Sequence, residues 1–389
     1  MSSILMKLAL TAVMMMNTVY LHTPTDVIVN SMTLDEKIGQ MFIAGFHGPV
    51  MNKEITDLIQ NEHLGGVILY SQNIQSSTQL LSLVNNLKKT NINTLPLFIS
   101  TDEEGGRVSR LPAGKTAFPP SFTIGKHNNK ALAYRVGNAI GKEMGAYGFN
   151  LNFAPDFDIY TNPNNTVIGN RSFGTTPDIV SSLGTAAMKG LQDSHVIPTI
   201  KHFPGHGDTA VDSHIGLPIV RKTKQQLYKT ELKPFQAAIK NGADMVMVAH
   251  IQYPYIDSAK PASLSKTLIT GLLRDELGFD GVVITDDLEM GAISSHFGIE
   301  TAVVDAVQAG VDLLLFAHTY ETEKKAIHAI KQAVQNGKIS EERIDESVRR
   351  IVHLKLKYNL TDQPLPADSL SILGCPAHQA VLNEILKSD

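Results

Sequence analysis

An alternation of eight short apolar runs with eight longer helical stretches predicts an α/β fold, a (β/α)8 TIM-type barrel forming a single catalytic domain. Two further observations support it. The runs are continuously apolar rather than alternating, as strands buried on both faces must be. Six neighbouring strand ends also carry acids, bases or cations, at the position where such a barrel keeps its active site.

The runs are Met41–Phe46, Gly66–Tyr70, Pro96–Thr101, Leu151–Asp156, Pro198–Phe203, Asp244–His250, Gly281–Asp287 and Val311–Ala317. Between them lie stretches of 3.6-residue periodicity: Asn52–Leu64, Ser77–Lys89, Lys130–Tyr147, Asp178–Ser194, Thr223–Asn241, Ser265–Leu277, Thr301–Ala309 and Glu321–Asn336. Thr33 and Glu36 have capping-box spacing and open a leading helix. Gly65, Gly148, Gly242, Gly278 and Gly310 stand where a left-handed residue would end a helix. A further helix, Ser340–Lys357, is expected beneath or beside the barrel. The competing architecture, an open doubly wound sheet, lacks a GxGxxG turn after any early strand.

Three units follow: an N-terminal segment 1–30, a barrel domain 31–358, and a Pro- and Asp-containing tail 359–389 that ends in a short helix near His378–Lys387. The apolar stretch Leu8–Met16 after Lys7 resembles a short signal-peptide core without a clear cleavage site; the alternative is a core-packing helix. The first would make the protein secreted or cell-wall associated, the second cytoplasmic. The stretch is too short for stable membrane insertion.

At 389 residues, 43% hydrophobic and 19% charged, the chain can bury a large core. Its net charge of −4 and lack of basic runs argue against a nucleic-acid partner. The single cysteine, Cys375, excludes an internal disulfide framework and a Cys-rich metal site.

Read in order, the strand ends carry Asp102, Asp156, Lys201-His202, His250 and Asp286-Asp287, and His318 follows the eighth. Repetition at one structural position points to a shared cleft. The densest segment is Lys201-His-Phe-Pro-Gly-His-Gly-Asp-Thr-Ala-Val-Asp-Ser-His214. His202 and His206 have the spacing of a helical zinc motif, but Pro204 and Gly205 oppose that helix, so no metal and no cofactor is expected. Acid–base chemistry fits better: Asp212 can orient the His214 ring, leaving its other nitrogen to exchange a proton. The alternative is a turn-capping aspartate beside an exposed histidine. Asp286, with Asp287 as the alternative, is a strand-end carboxylate that can attack an anomeric carbon; the competing role for one of the pair is to cap the following turn. Arg171 is a multidentate donor for hydroxyl or carboxylate, or else a surface ion pair.

The ordered segments Thr101-Asp-Glu-Glu-Gly-Gly-Arg-Val108, Asn152-Phe-Ala-Pro-Asp156, Gly169-Asn-Arg-Ser-Phe-Gly174, Lys201–Thr209, Asp212-Ser-His214 and Thr285-Asp-Asp287 resemble glycoside hydrolase family 3, in its β-N-acetylglucosaminidase branch. The resemblance runs from about Thr33 to Tyr358. It implies Asp286 as nucleophile, His214 as acid/base and Asp212 as its partner. It further implies that Asp102, Arg171, Lys201 and His202 grip the hydroxyls of the non-reducing sugar, with Arg110 and Asp156 in support. The loop bearing Asp212 and His214 has small residues and no long apolar anchor, and is expected to swing over bound sugar.

The resemblance implies hydrolysis of terminal β-linked N-acetylglucosamine, from cell-wall muropeptide or chitin-derived fragments, by a monomer whose partner is carbohydrate. The alternatives are a β-glucosidase or phosphorylase of the same fold, and a non-catalytic sugar-binding barrel. Many relatives carry a second αβα domain after the barrel, and His378–Lys387 resembles the opening helix of its linker.

Overall fold

The computed structural model describes residues 23–209, 213 and 216–387. The segment Lys7–Leu21, together with Asp212 and His214, therefore lies outside the described residues.

Eight parallel strands form one sheet: β1 (Phe42–Ala44), β2 (Gly66–Ile68), β3 (Phe98–Thr101), β4 (Leu151–Asn152), β5 (Ile197–Phe203), β6 (Met245–Val248), β7 (Val282–Thr285) and β8 (Leu314–Phe316). Sequence neighbours pair throughout, and β1 also pairs with β8, Ile43 standing opposite both Gly66 and Leu315. The ring closes between β7 and β8 through the parallel bridge Ile284–Leu313. There Thr285 donates its N–H to Leu313 O at 3.1 Å, and its hydroxyl accepts from Leu315 N at 3.1 Å. The sheet is thus a (β/α)8 barrel. Every strand residue is buried, which is why the runs read as unbroken apolar sequence.

The helices bury one stripe each. In Lys53–Gln60, Ile55, Leu58 and Ile59 face the barrel at spacings of three and four, and Asn52 caps the first turn by accepting from Ile55 N at 2.9 Å. Thr33 and Glu36 form the expected capping box at the start of Leu34–Gln40.

Two expectations need correction. The stretch Thr223–Asn241 is two helices, Lys224–Lys229 and Leu232–Lys240. Pro234 accounts for the break. In one continuous helix its ring would collide with the carbonyl of Thr230, whereas in a new first turn its missing N–H costs nothing. Second, four of the five helix-ending glycines adopt positive φ, but Gly65 does not; His63 takes that conformation at φ 55°. Gly65 is needed for another reason. A Cβ there would stand 2.2 Å from the carbonyl oxygen of Gln40.

The stretch Ser265–Leu277 is wound as a π-helix over Thr267–Glu276. Further short helices lie at Pro24–Ser31, Ser121–Lys126 and Gly291–Ser294.

The helix Glu341–Lys357 closes the N-terminal end of the barrel. Its Ser347 and Arg350 bind Asp312, just before β8, and its Lys355 donates to Gly65 O, just before β2. The tail beyond it lies along the barrel wall. Asp362 accepts from Asn91 and Leu97, and in the helix Pro376–Leu386 the buried His378 bonds Glu143 at 2.8 Å.

Candidate active site

The strand ends converge on a cavity of about 230 Å³ at the C-terminal mouth of the barrel. Of the residues singled out in the sequence, Asp102, Arg110, Arg171, Lys201, His202, Asp286, Asp287 and His318 line it. Two strand-end residues do not, Asp156 and His250. Both are buried behind the wall, at 1% and 0% exposure, and act on residues that do face the cavity.

One wall is a charge lattice. Lys201 Nζ, on β5, is 2.7 Å from Asp102 Oδ1, just beyond β3, and 2.8 Å from Glu104 Oε1. Glu104 also takes both arms of Arg171, at 2.7 and 3.0 Å. This fork–fork pairing fixes the guanidinium plane. Burial alone would raise the Glu104 carboxyl; Arg171 and Lys201 outweigh it and hold it well below the usual range. Burial would likewise lower the Lys201 ammonium, and Asp102 and Glu104 hold it above the usual range instead. Glu104 is the centre of this wall, yet only its place in the motif Asp-Glu-Glu hinted at a role.

His202 turns its two nitrogens to opposite charges. Nδ1 lies 2.6 Å from Asp158 Oδ2 and Nε2 lies 3.4 Å from Arg171 Nη2. Arginine can only donate, so Nε2 accepts and Nδ1 carries the hydrogen. Burial, reinforced by Arg171, pushes the imidazole down to about 4, so the ring is neutral at physiological pH. Behind it, burial and the neighbouring Asp158 push the Asp156 carboxyl well up, and its Oδ2 sits 3.7 Å from Arg171 Nε.

His202 ends a strand and His206 follows the turn at Pro204, so the pair does not lie on a helix as a zinc motif would require. His206 Nδ1 instead lies 2.8 Å from Thr209 Oγ1, and its Nε2 lies 3.3 Å from Ser213 Oγ. Among the described residues, Asp156, Asp158 and His202 bring donor atoms within 4.8 Å of one another. The 2.6 Å bond from His202 Nδ1 occupies the Asp158 oxygen on that side.

Arg110 also lines the cavity, from a loop clamped by Glu103. That carboxylate accepts from Arg110 N, Leu111 N and Ser109 Oγ at 2.7, 2.9 and 2.6 Å. The Arg110 Nε is buried with no hydrogen-bond partner among the described residues.

The floor is the Asp286-Asp287 pair. Asp286 N donates to Val248 O at 3.0 Å, and its Oδ1 accepts from Asp287 N at 2.9 Å. Asp287 Oδ1 accepts from Glu289 N at 3.0 Å and Ala317 N at 3.2 Å. Its carbonyl accepts from His250 Nε2 at 2.9 Å, while His250 Nδ1 lies 2.7 Å from Ser263 Oγ.

A polar, charge-lined cavity at the C-terminal mouth is where (β/α)8 barrel enzymes keep their active sites. The chain belongs to glycosyl hydrolase family 3: residues 33–354 match the model of its N-terminal domain. The chain is 38% identical over 357 residues to beta-hexosaminidase A of Pseudoalteromonas piscicida, covering 85% of this chain and 60% of that protein. In structure it resembles a family 3 beta-N-acetylglucosaminidase from Paenibacillus, with a TM-score of 0.87, 43% identity, and coverage of 91% of this chain and 68% of the other. A beta-glucoside phosphorylase is comparable in shape, with a TM-score of 0.85, but 26% identical, over 93% of this chain and 66% of the other.

Proposed function

We propose that the chain is a retaining β-N-acetylglucosaminidase that removes terminal non-reducing β-linked N-acetylglucosamine by double displacement. The observation that carries this is the meeting of a carboxylate pair on β7 with a cation–carboxylate lattice in one small cavity. Fixed donors and acceptors of both signs suit a ring that presents several hydroxyls. Family membership and the names of the similar proteins support hexosaminidase over glucosidase or phosphorylase.

In this reading Asp102, Lys201, Arg171, Arg110 and His202 hold the sugar, and Asp156 supports Arg171 from behind. Asp286 attacks the anomeric carbon while His214, partnered by Asp212, protonates the leaving oxygen. His214 then takes a proton from water, which displaces Asp286 with overall retention. For Asp212 and His214 the support is the family motif. The natural leaving group is a cell-wall muropeptide or chitin-derived fragment, and the acting species is the monomer.

The test is kcat/KM on aryl β-N-acetylglucosaminide and aryl β-glucoside, with and without phosphate, and NMR of the first-formed anomer. Preference for the first substrate, no phosphate dependence and a β product are expected. An α product or a sugar phosphate would overturn the reading.

A further inference from the structure

Asp287 stands in an unusual position for a second carboxyl. Its Oδ1 is fully engaged by two backbone N–H groups, from Glu289 and from Ala317. Its Oδ2 has no hydrogen-bond partner among the described residues, and it is not among the side-chain atoms buried without one. Since Asp287 lines the cavity, that oxygen faces the cavity. His250 holds the same residue from behind through its carbonyl, so the side chain is fixed at both ends.

The carboxyl is therefore built to meet a ligand, and its neighbours say which part. Asp286, one residue before, is assigned to sugar carbon 1, whose ring neighbours are carbon 2 and the ring oxygen; of these only carbon 2 carries a substituent for a group beside Asp286 to meet. The adjoining surface is apolar, from Met290 and Leu315, which are buried at the cavity edge. A hydroxyl needs only a polar partner; an acetamido group needs a polar partner for its amide and an apolar one for its methyl. We propose that Asp287 reads the acetamido group on sugar carbon 2, its Oδ2 meeting the amide while Met290 and Leu315 flank the methyl. This rests on the glycosidase reading above.

The protonation state agrees. Burial, with Glu289 and Asp286 adding, pushes the Asp287 carboxyl up to about 8. At neutral pH it therefore offers an O–H to the amide carbonyl. The other titratable groups around it are Glu323 on the helix Tyr320–Gln335, Tyr70 after β2 and His250. Burial raises the Glu323 carboxyl to about 9 and the Tyr70 phenol well above its usual range.

The experiment compares kcat/KM on aryl β-N-acetylglucosaminide and aryl β-glucoside for wild type, Asp287→Ala and Asp287→Asn. The Ala variant is expected to lose about ten- to a hundredfold of the preference for the acetamido sugar. The Asn variant, which keeps a donor, is expected to retain most of it. An equal fall on both substrates makes Asp287 merely structural and overturns the proposal. If wild type itself shows no such preference, the N-acetylglucosaminidase reading fails instead. Should Asp287→Ala not fold, product inhibition of wild type decides. Inhibition by N-acetylglucosamine is expected to weaken above pH 8 while inhibition by glucose does not. Parallel weakening of both would refute the assignment.

Discussion

At the N-terminal end of the barrel, Asp312 is surrounded by cations: Arg274 at 2.5 Å, Arg350 at 3.2 Å and Arg343 at 3.6 Å, with Ser347 Oγ at 2.8 Å. At the C-terminal end, Arg110 Nε, Asp156 Oδ2 and Asp287 Oδ2 have no hydrogen-bond partner among the described residues. Both ends bury charge inside the same ring of strands. One end satisfies its charges within the protein, whereas the other leaves polar atoms for something else to complete. Such groups also occur elsewhere, as at Glu323, but at this end Arg110 and Asp287 line one cavity, where a ligand can supply the missing partner.

Four experiments would break or sharpen this contrast. The largest effect is expected from Asp286→Asn at the open end: a loss of at least about a thousandfold in kcat with the thermal midpoint nearly unchanged. Turnover close to wild type would remove Asp286 from the chemistry. At the closed end Asp312→Ala should do the reverse. Three arginines would lose their shared buried partner, costing about 3–5 kcal/mol in urea unfolding, while kcat/KM of the folded fraction stays near wild type. A stable Asp312 variant would mean that the lattice beneath the barrel is dispensable.

Glu104→Gln lies between these extremes. It keeps the shape of the acceptor but removes the charge that aligns Arg171 and Lys201. A fall of about ten- to a hundredfold in kcat/KM is expected, carried mainly by KM, since binding geometry rather than the attacking group is disturbed. A loss confined to stability would class Glu104 with Asp312.

The smallest effect concerns Glu323, whose carboxyl oxygens are buried without partners and whose pKa is pushed up to about 9 by burial and by Glu289. Its folded value lies above the ordinary 4.5, so folding takes up a proton through neutral pH and stability from this group declines as pH rises from about 4.5 to 9. Glu323→Gln removes that penalty. It should stabilise by about 1–2 kcal/mol at pH 8 and little at pH 5, measured by urea unfolding at both.

Much of the fold was legible because each strand is buried on both faces and each helix on one, which writes two different periods into the chain. The break at Thr230 went unread because Pro234 acts four residues upstream of itself. Gly65 was misread because a glycine demanded by a close approach to Gln40 looks, in sequence, like one demanded by a left-handed turn. The site was legible where a strand end points directly into the cavity, as for Asp102, Lys201 and Asp286. Asp156 and His250 sit at strand ends too, but burial turns them into supports. Glu104 and Asp158 escaped notice because their importance lies in partners 67 and 44 positions away, and no local pattern records that.

The closure between β7 and β8 has a consequence for how this barrel fails. Its other neighbouring strands meet through at least two registered pairs, but this seam has a single bridge and borrows a threonine hydroxyl in place of a backbone acceptor. Backbone bonds still cross it, from Asp312 N and Leu313 N to Val283 O at 2.8 and 3.0 Å, so the strand that leads to Asp286 borders the most irregular joint in the ring. Loosening of that joint would reach the proposed nucleophile directly, so activity is expected to be lost before the rest of the fold opens.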